Sequence, residues 1–92
     1  MEVRLNSTLR GLSGRRALVL GLPEGATVHD ALLETVAQLP VLEGKIWEKG
    51  ELRPTVVLFL NGRNVRLFGG LDAVIQEGQK LDIFPPIGGG RR

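Results

Sequence analysis

Few residues in this chain could act on a substrate, and their scarcity narrows the chemistry. Cysteine is absent and histidine occurs once, as His29. Without a thiol there is no thiolate nucleophile, no disulfide and no cysteine-based metal site. A single imidazole is too little for a protein-only transition-metal site. His29 also lies far in sequence from the most unusual segment, Phe84-Pro85-Pro86-Ile87-Gly88-Gly89-Gly90-Arg91-Arg92. Two consecutive prolines remove two backbone donors and fix two φ angles, which stops a strand and favours a stiff, extended exit. Three glycines then supply a strip with no side chain to pack and wide backbone freedom. Such a strip fits a narrow channel in a partner, where any Cβ would clash. Ordering four residues there costs roughly 4–8 kcal/mol, at about 1–2 kcal/mol each. The folded body has to supply docking surface that offsets this cost.

The elements that position the strip are readable from periodicity. Alternation over Met1-Glu2-Val3-Arg4-Leu5-Asn6 predicts a strand with Val3 and Leu5 inward. Gly11 and Gly14 bracket a turn region, and Ala17–Leu22 reads as a second strand, completing a hairpin. Pro23-Glu24-Gly25-Ala26 breaks it. Thr27 then opens a helix, with Asp30 at capping-box spacing in place of the usual Glu or Gln. Asp30 also puts negative charge at the positive end of the helix dipole. Val28, Ala31, Leu32, Thr35, Val36 and Leu39 form one stripe, and Pro40 ends the helix. The stretch from Val41 to Pro54 reads as a short helical turn and a loop, anchored by Leu42, Ile46 and Trp47. Thr55–Leu60 is the strongest strand, followed by the hairpin signal Asn61-Gly62 and a short return strand over Asn64–Leu67. Gly69–Ile75 predicts an irregular crossing with a turn of helix, Glu77-Gly78-Gln79 a turn, and Lys80–Phe84 the last strand.

That order predicts an α+β fold: a mixed sheet of four to five strands with one main helix packed on one face. It matches the β-grasp architecture. One helix covers only one face, yet Thr55–Leu60 is apolar on both, and Phe84 alternates with Leu81 and Ile83. Phe84 and a neighbour such as Phe59 are therefore expected to form an apolar patch on the uncovered face, the mark of a partner site. The expected division is a folded domain over 1–87 and a C-terminal tail over 88–92.

Composition bounds the remaining readings. Ninety-two residues make one domain, and 42% hydrophobic with 24% charged content is ordinary for a folded one. No apolar run is long enough to span a bilayer and no signal-peptide pattern opens the chain, so a cytoplasmic protein without a membrane partner is expected. The net charge is only +2, and Arg4, Arg10, Arg15, Arg16, Arg53, Arg63 and Arg66 are spread among acids. Nucleic-acid binding favours clustered basic residues with aromatic platforms, whereas the aromatics here are Trp47, Phe59, Phe68 and Phe84. A solvated surface is the expected role of the arginines.

The phrase Ile83-Phe84-Pro85-Pro86-Ile87-Gly88-Gly89-Gly90 closely resembles the C-terminal signature of the molybdopterin synthase small subunit and its relatives. Gly25-Ala26-Thr27-Val28, Leu58-Phe59-Leu60-Asn61-Gly62 and Glu77-Gly78-Gln79-Lys80-Leu81 fit the same pattern. The family also includes thiamine-type and cysteine-pathway sulfur carriers and the small archaeal ubiquitin-like modifiers. Asn61 to Gly70 looks most like the archaeal and sulfur-carrier branches. The resemblance implies a ubiquitin-like β-grasp that is not itself an enzyme and binds no cofactor or metal. Gly88 takes the small-residue slot, and Gly89-Gly90 is the functional pair. A ubiquitin-activating-type adenylating enzyme using ATP and magnesium would activate Gly90. The glycine would then carry a thiocarboxylate to a sulfur-accepting synthase, or be attacked by a lysine of a target protein. Phe84, Phe59, Pro85, Pro86, Ile87 and Gly88 are the expected partner-binding residues. Arg91-Arg92 departs from the family pattern, which ends at the second glycine. Either a processing metalloprotease cuts between Gly90 and Arg91, or the two arginines come from cloning.

Overall fold

The computed structural model describes residues 1–85. The predicted tail 88–92, with Pro86 and Ile87, lies outside the described residues. The elements are β1 (Glu2–Leu5), α1 (Thr8–Ser13), β2 (Ala17–Val19), α2 (Val28–Gln38), α3 (Glu43–Ile46), β3 (Trp47–Glu48), β4 (Glu51–Leu52), β5 (Val57–Leu60), β6 (Arg63–Asn64) and β7 (Lys80–Phe84). Five strands form one sheet in the order β2-β1-β7-β5-β6, and β3 pairs with β4 in a small separate hairpin. β7 runs parallel to β1 and antiparallel to β5, so the sheet is mixed as predicted. This is a ubiquitin-like β-grasp, with α2 as the main helix.

Period-2 alternation decides which face each strand buries. Val3 and Leu5 of β1, Leu81 and Ile83 of β7, and Leu58 and Leu60 of β5 all point to the helix side, each at 2% exposure or less. From α2, Val28, Ala31, Leu32 and Thr35 pack against them fully buried, while Val36 and Leu39 sit half-buried at the margin. Thr35 is the one buried polar side chain among the described residues, and its hydroxyl donates to the Ala31 carbonyl at 2.8 Å. Leu42 and Ile46 are the anchors expected of the following stretch, at 0% exposure, with Trp47 half-buried beside them.

Several boundaries differ from the sequence reading. The connection between β1 and β2 is not a simple turn: α1 forms there, burying Leu9, with Gly14 in the left-handed conformation as its cap. Leu9 and Leu12 have helical spacing, and two glycines mask it. β2 ends at Val19 as a regular strand, and its ladder with β1 closes one pair later, where the Leu20 N–H donates to the Met1 carbonyl and the Met1 amino group donates to the Leu20 carbonyl, before Gly21 leaves the sheet. The predicted loop up to Pro54 contains a 3₁₀ turn (Pro40–Leu42), α3 and the β3–β4 hairpin. The strand expected over 55–60 begins at Val57, after a tight turn in which the Val56 N–H donates to the Arg53 carbonyl. Asn61 and Gly62 both adopt positive φ, the requirement of the predicted hairpin turn. The return strand is two residues long and runs into a 3₁₀ turn over Val65–Leu67.

The start of α2 is built as predicted. The Asp30 N–H donates to the Thr27 hydroxyl at 3.2 Å, and the Thr27 N–H donates to the Asp30 carboxylate at 2.9 Å. The bond from the Thr27 backbone, then that from its hydroxyl, holds the Asp30 carboxyl below its ordinary 3.8. A lowered folded-state pKa means the stabilisation is complete above the unfolded value and is lost as pH falls through the folded one. Thr27→Ala is expected to cost about 0.5–2 kcal/mol in urea unfolding at pH 7. Asp30→Asn should flatten the acid limb of the stability curve below pH 3.8; a limb unchanged from wild type would show that this box does not set it.

Candidate functional site

Everything the tail attaches to is at one end of β7. In register, Ile83 lies beside Leu5 of β1, and Phe84 lies opposite Val57 of β5. The chain therefore leaves from the centre of the sheet rather than an edge. Asn6, the residue after β1, holds the exit. Its backbone N–H donates to the Ile83 carbonyl at 3.2 Å and its side-chain amide donates to the same oxygen at 3.1 Å. Ser7 follows at φ 57°, a strained value for a residue with a Cβ, and turns the chain sharply into α1. Pro85 is buried. Pro86, Ile87, Gly88, Gly89, Gly90 and Arg91 lie outside the described residues.

The face away from α2 carries an aromatic corner at this same end. Phe59 and Phe84 are diagonal neighbours across β5 and β7, with ring centroids 5.6 Å apart and planes at 84°. This edge-to-face arrangement is a favoured aromatic geometry. Phe84 keeps 37% of its surface exposed, and Val57 and Phe59 are half-buried beside it. The corner is the apolar patch expected from alternation, and it lies directly at the root of the tail. Farther across the face the surface turns polar. Glu2 pairs with Arg4 at 3.5 Å and with Lys80 at 3.9 Å, and Asp82 sits in register with Arg4.

His29 stands apart from this exit. It lies in the first turn of α2, at the end of the fold where Thr27 bridges Val74, and its ring packs edge-on against Trp47 at 5.5 Å. A shallow open cleft there is lined by His29, Leu33, Glu43, Trp47, Lys49 and Gly50. Among the described residues there is no group of three or more His, Asp or Glu side chains placed to hold a metal, and no helix is long and apolar enough to cross a membrane.

Residues 3–90 match the family described as the ThiS family. The chain belongs to the ThiS family. It is 32% identical to small archaeal modifier protein 3 of Haloferax volcanii over 90 residues, covering 98% of both chains. It is 36% identical to the molybdopterin synthase sulfur carrier subunit of Arabidopsis thaliana, covering 98% of this chain and 82% of the relative. The crystal structure of small archaeal modifier protein 1 from Haloferax volcanii superposes with a TM-score of 0.87 at 31% identity, covering 97% of each chain. This ThiS-family chain is thus a ubiquitin-like protein of the sulfur-carrier and archaeal-modifier type.

Sequence reasoning found the aromatic corner but missed the clamp by Asn6. A polar residue ending a strand gives no local sign of a carbonyl 77 positions away. Asn6→Ala should remove the side-chain bond to Ile83 and destabilise the domain by about 0.5–1.5 kcal/mol. Amide exchange measured by NMR should accelerate selectively at the ends of β1 and β7. Uniform acceleration across the sheet would mean Asn6 acts on global stability and not on the exit.

Proposed function

We propose that this ThiS-family chain acts through Gly90 as a sulfur carrier and is acted on by partner enzymes. The observation that carries this reading is that the family match runs to Gly90, the second glycine of the pair, and leaves Arg91-Arg92 outside it. The order of events follows from carboxyl chemistry. A processing metalloprotease hydrolyses the Gly90–Arg91 peptide bond, and the new carboxylate belongs to Gly90. That carboxylate is a poor electrophile. A ubiquitin-activating-type enzyme with ATP and magnesium therefore joins it to the α-phosphate, with pyrophosphate leaving. A hydrosulfide-level nucleophile then attacks the acyl carbon and AMP departs, so that a thiocarboxylate replaces the carboxylate. A sulfur-accepting synthase receives the sulfur. The chain needs no catalytic side chain or cofactor of its own in this sequence. It contributes the tail, a rigid root at Asn6 and Ile83, and the Phe59–Phe84 corner as the docking surface beside it.

A second reading is favoured by the full-length similarity to archaeal modifier proteins. In it a lysine amine attacks the activated Gly90 and forms an isopeptide bond. The two readings share the activation step and differ only in the nucleophile.

Protein ending at Gly90, incubated with the activating enzyme of the same genome, ATP, magnesium and sulfide, should gain the mass difference of sulfur for oxygen at its C-terminus. The chain with Arg91-Arg92 intact should not. No mass gain in the trimmed protein would refute the carrier reading. Lysines of cellular proteins bearing the Leu81–Gly90 remnant that trypsin leaves after Lys80 would establish the modifier reading, and its absence from tryptic digests of native cells would remove it. Phe84→Ala together with Phe59→Ala should slow activation by about tenfold or more, the loss of roughly 1.4 kcal/mol expected when an interface anchor is truncated. An undiminished rate in the folded double variant would rule the corner out as the docking surface.

A further inference from the structure

Arginines that are scattered in sequence converge in the fold. The Leu5 N–H donates to the Arg16 carbonyl at 2.8 Å, which puts Arg16, with Arg15 before it, beside the end of β1. The Arg10 guanidinium donates through Nε to the Leu5 carbonyl at 3.3 Å. On the other flank the Arg66 guanidinium donates to the carbonyl of Pro54, just before β5 begins. β7 lies between these flanks, so Arg10, Arg15 and Arg16 stand on one side of the tail root and Arg66 on the other. Neighbouring strands are about 4.8 Å apart, so the flanks are separated by only a few strand widths. All four side chains are exposed, and none has a carboxylate within salt-bridge distance among the described residues. Arg53 is also at this end, but Glu48 at 3.7 Å and the Gly44 carbonyl at 2.8 Å hold it. The nearest acid on β7 is Asp82, in register with Arg4.

The opposite end is mixed in sign. Ile75 donates to the Ala26 carbonyl and Val28 to the Ala73 carbonyl, which gathers the loop before α2 and the crossing before β7 at that end. Glu24, Asp30, Asp72 and Glu77 lie there together with cations: Lys80, engaged by Glu2; Arg63, stacked on the Phe68 ring; the Met1 amino group, donating to the Leu20 carbonyl; and Lys49, beside the His29 cleft. Charges of both signs are thus interspersed at the far end, whereas the exposed Arg10, Arg15, Arg16 and Arg66 at the tail end have no carboxylate partner among the described residues.

We propose that Arg10, Arg15, Arg16 and Arg66 form a basic collar that steers the tail root onto an activating enzyme whose channel mouth is rimmed with Asp and Glu. This rests on the carrier reading above and names the character of its partner. Complementary fields accelerate encounter and orient it, an effect that salt suppresses. An acidic rim attracts the unpaired arginines at the tail end more than the mixed far end, so the chain arrives tail first. Arg91-Arg92 carry the same sign, and their removal leaves the collar in place. A nucleic acid is the other polyanion to weigh. The two aromatic residues beside the collar, Phe59 and Phe84, are set edge-to-face onto each other, which does not make a flat stacking platform.

The test uses protein ending at Gly90 and ATP–pyrophosphate exchange by the activating enzyme of the same genome. The side chains of Arg15 and Arg16 make no hydrogen bond among the described residues, so Arg15→Glu with Arg16→Glu changes charge without removing a structural contact. That variant should lose about tenfold in kcat/KM at low ionic strength, through KM and not kcat, and approach the wild type in about 0.5 M salt. Arg15→Gln with Arg16→Gln should show a smaller loss in the same direction and serves if the reversal does not fold. Glu24→Lys with Glu77→Lys should show no such loss. Unchanged kcat/KM at low salt in the folded arginine variants, with normal exchange by the wild type, overturns the collar and leaves the carrier reading standing. No exchange by the wild type overturns both. Binding of transfer RNA that falls in the arginine variants, with exchange unaffected, assigns the collar to nucleic acid and overturns the proposal.

Discussion

The arrangement at the tail depends on one constraint, the insertion of β7 between β1 and β5. A strand with partners on both sides has its backbone donors and acceptors satisfied internally and its inner side chains fully covered. Leu81 and Ile83 are accordingly at 0% exposure. The direction of β7 is fixed by its parallel pairing with β1, so its last residue has to emerge beside Asn6 and the start of α1. Had β7 been an edge strand, the tail would have one neighbour and a freer angle of departure. Its central place supplies the clamp, the aromatic corner and the flanking arginines together.

The two faces of the sheet divide the remaining work. α2 and its neighbours cover one face, and burial there provides the stability. The other face is left with Phe59, Phe84 and Val57 at one end and a row of paired charges beyond. Ordering four residues of a glycine strip costs roughly 4–8 kcal/mol. At about 25 cal/mol per Å², that equals about 160–320 Å² of apolar surface removed from water. A corner of three partly buried side chains supplies only a part of this. A partner that holds the strip has to draw on further contacts around the tail root or on the chemistry it performs there.

What the sequence made legible was local. Thr27 and Asp30 declared the capping box by spacing, Asn61-Gly62 declared its turn, and Lys80–Phe84 was bounded by a turn and a proline, so these agree with the structure almost residue for residue. The aromatic corner followed because alternation along β7 and apolarity on both faces of β5 are local patterns too. α1 escaped because Gly11 and Gly14 read as turn residues, whereas only Gly14 serves as a cap. The Asn6 clamp and the gathering of Arg10, Arg16 and Arg66 escaped for a different reason. They depend on the register between strands far apart in the chain, and no periodicity within a segment encodes which carbonyl a distant side chain will meet.

The sheet also ends abruptly at both edges. β2 has three residues and β6 two, against the five or six common for strands. Beside β2 stand Arg15 and Arg16, and β6 turns at once into a 3₁₀ helix. A protein with an apolar corner and a bare backbone strip is exposed to runaway self-association, in which one molecule's strand extends the next molecule's sheet. Edges this short, one of them guarded by charge, offer too little ladder for that to propagate. Encounters are left to the open face and to the end where the chain departs, the two places where contact is not templated by a sheet edge.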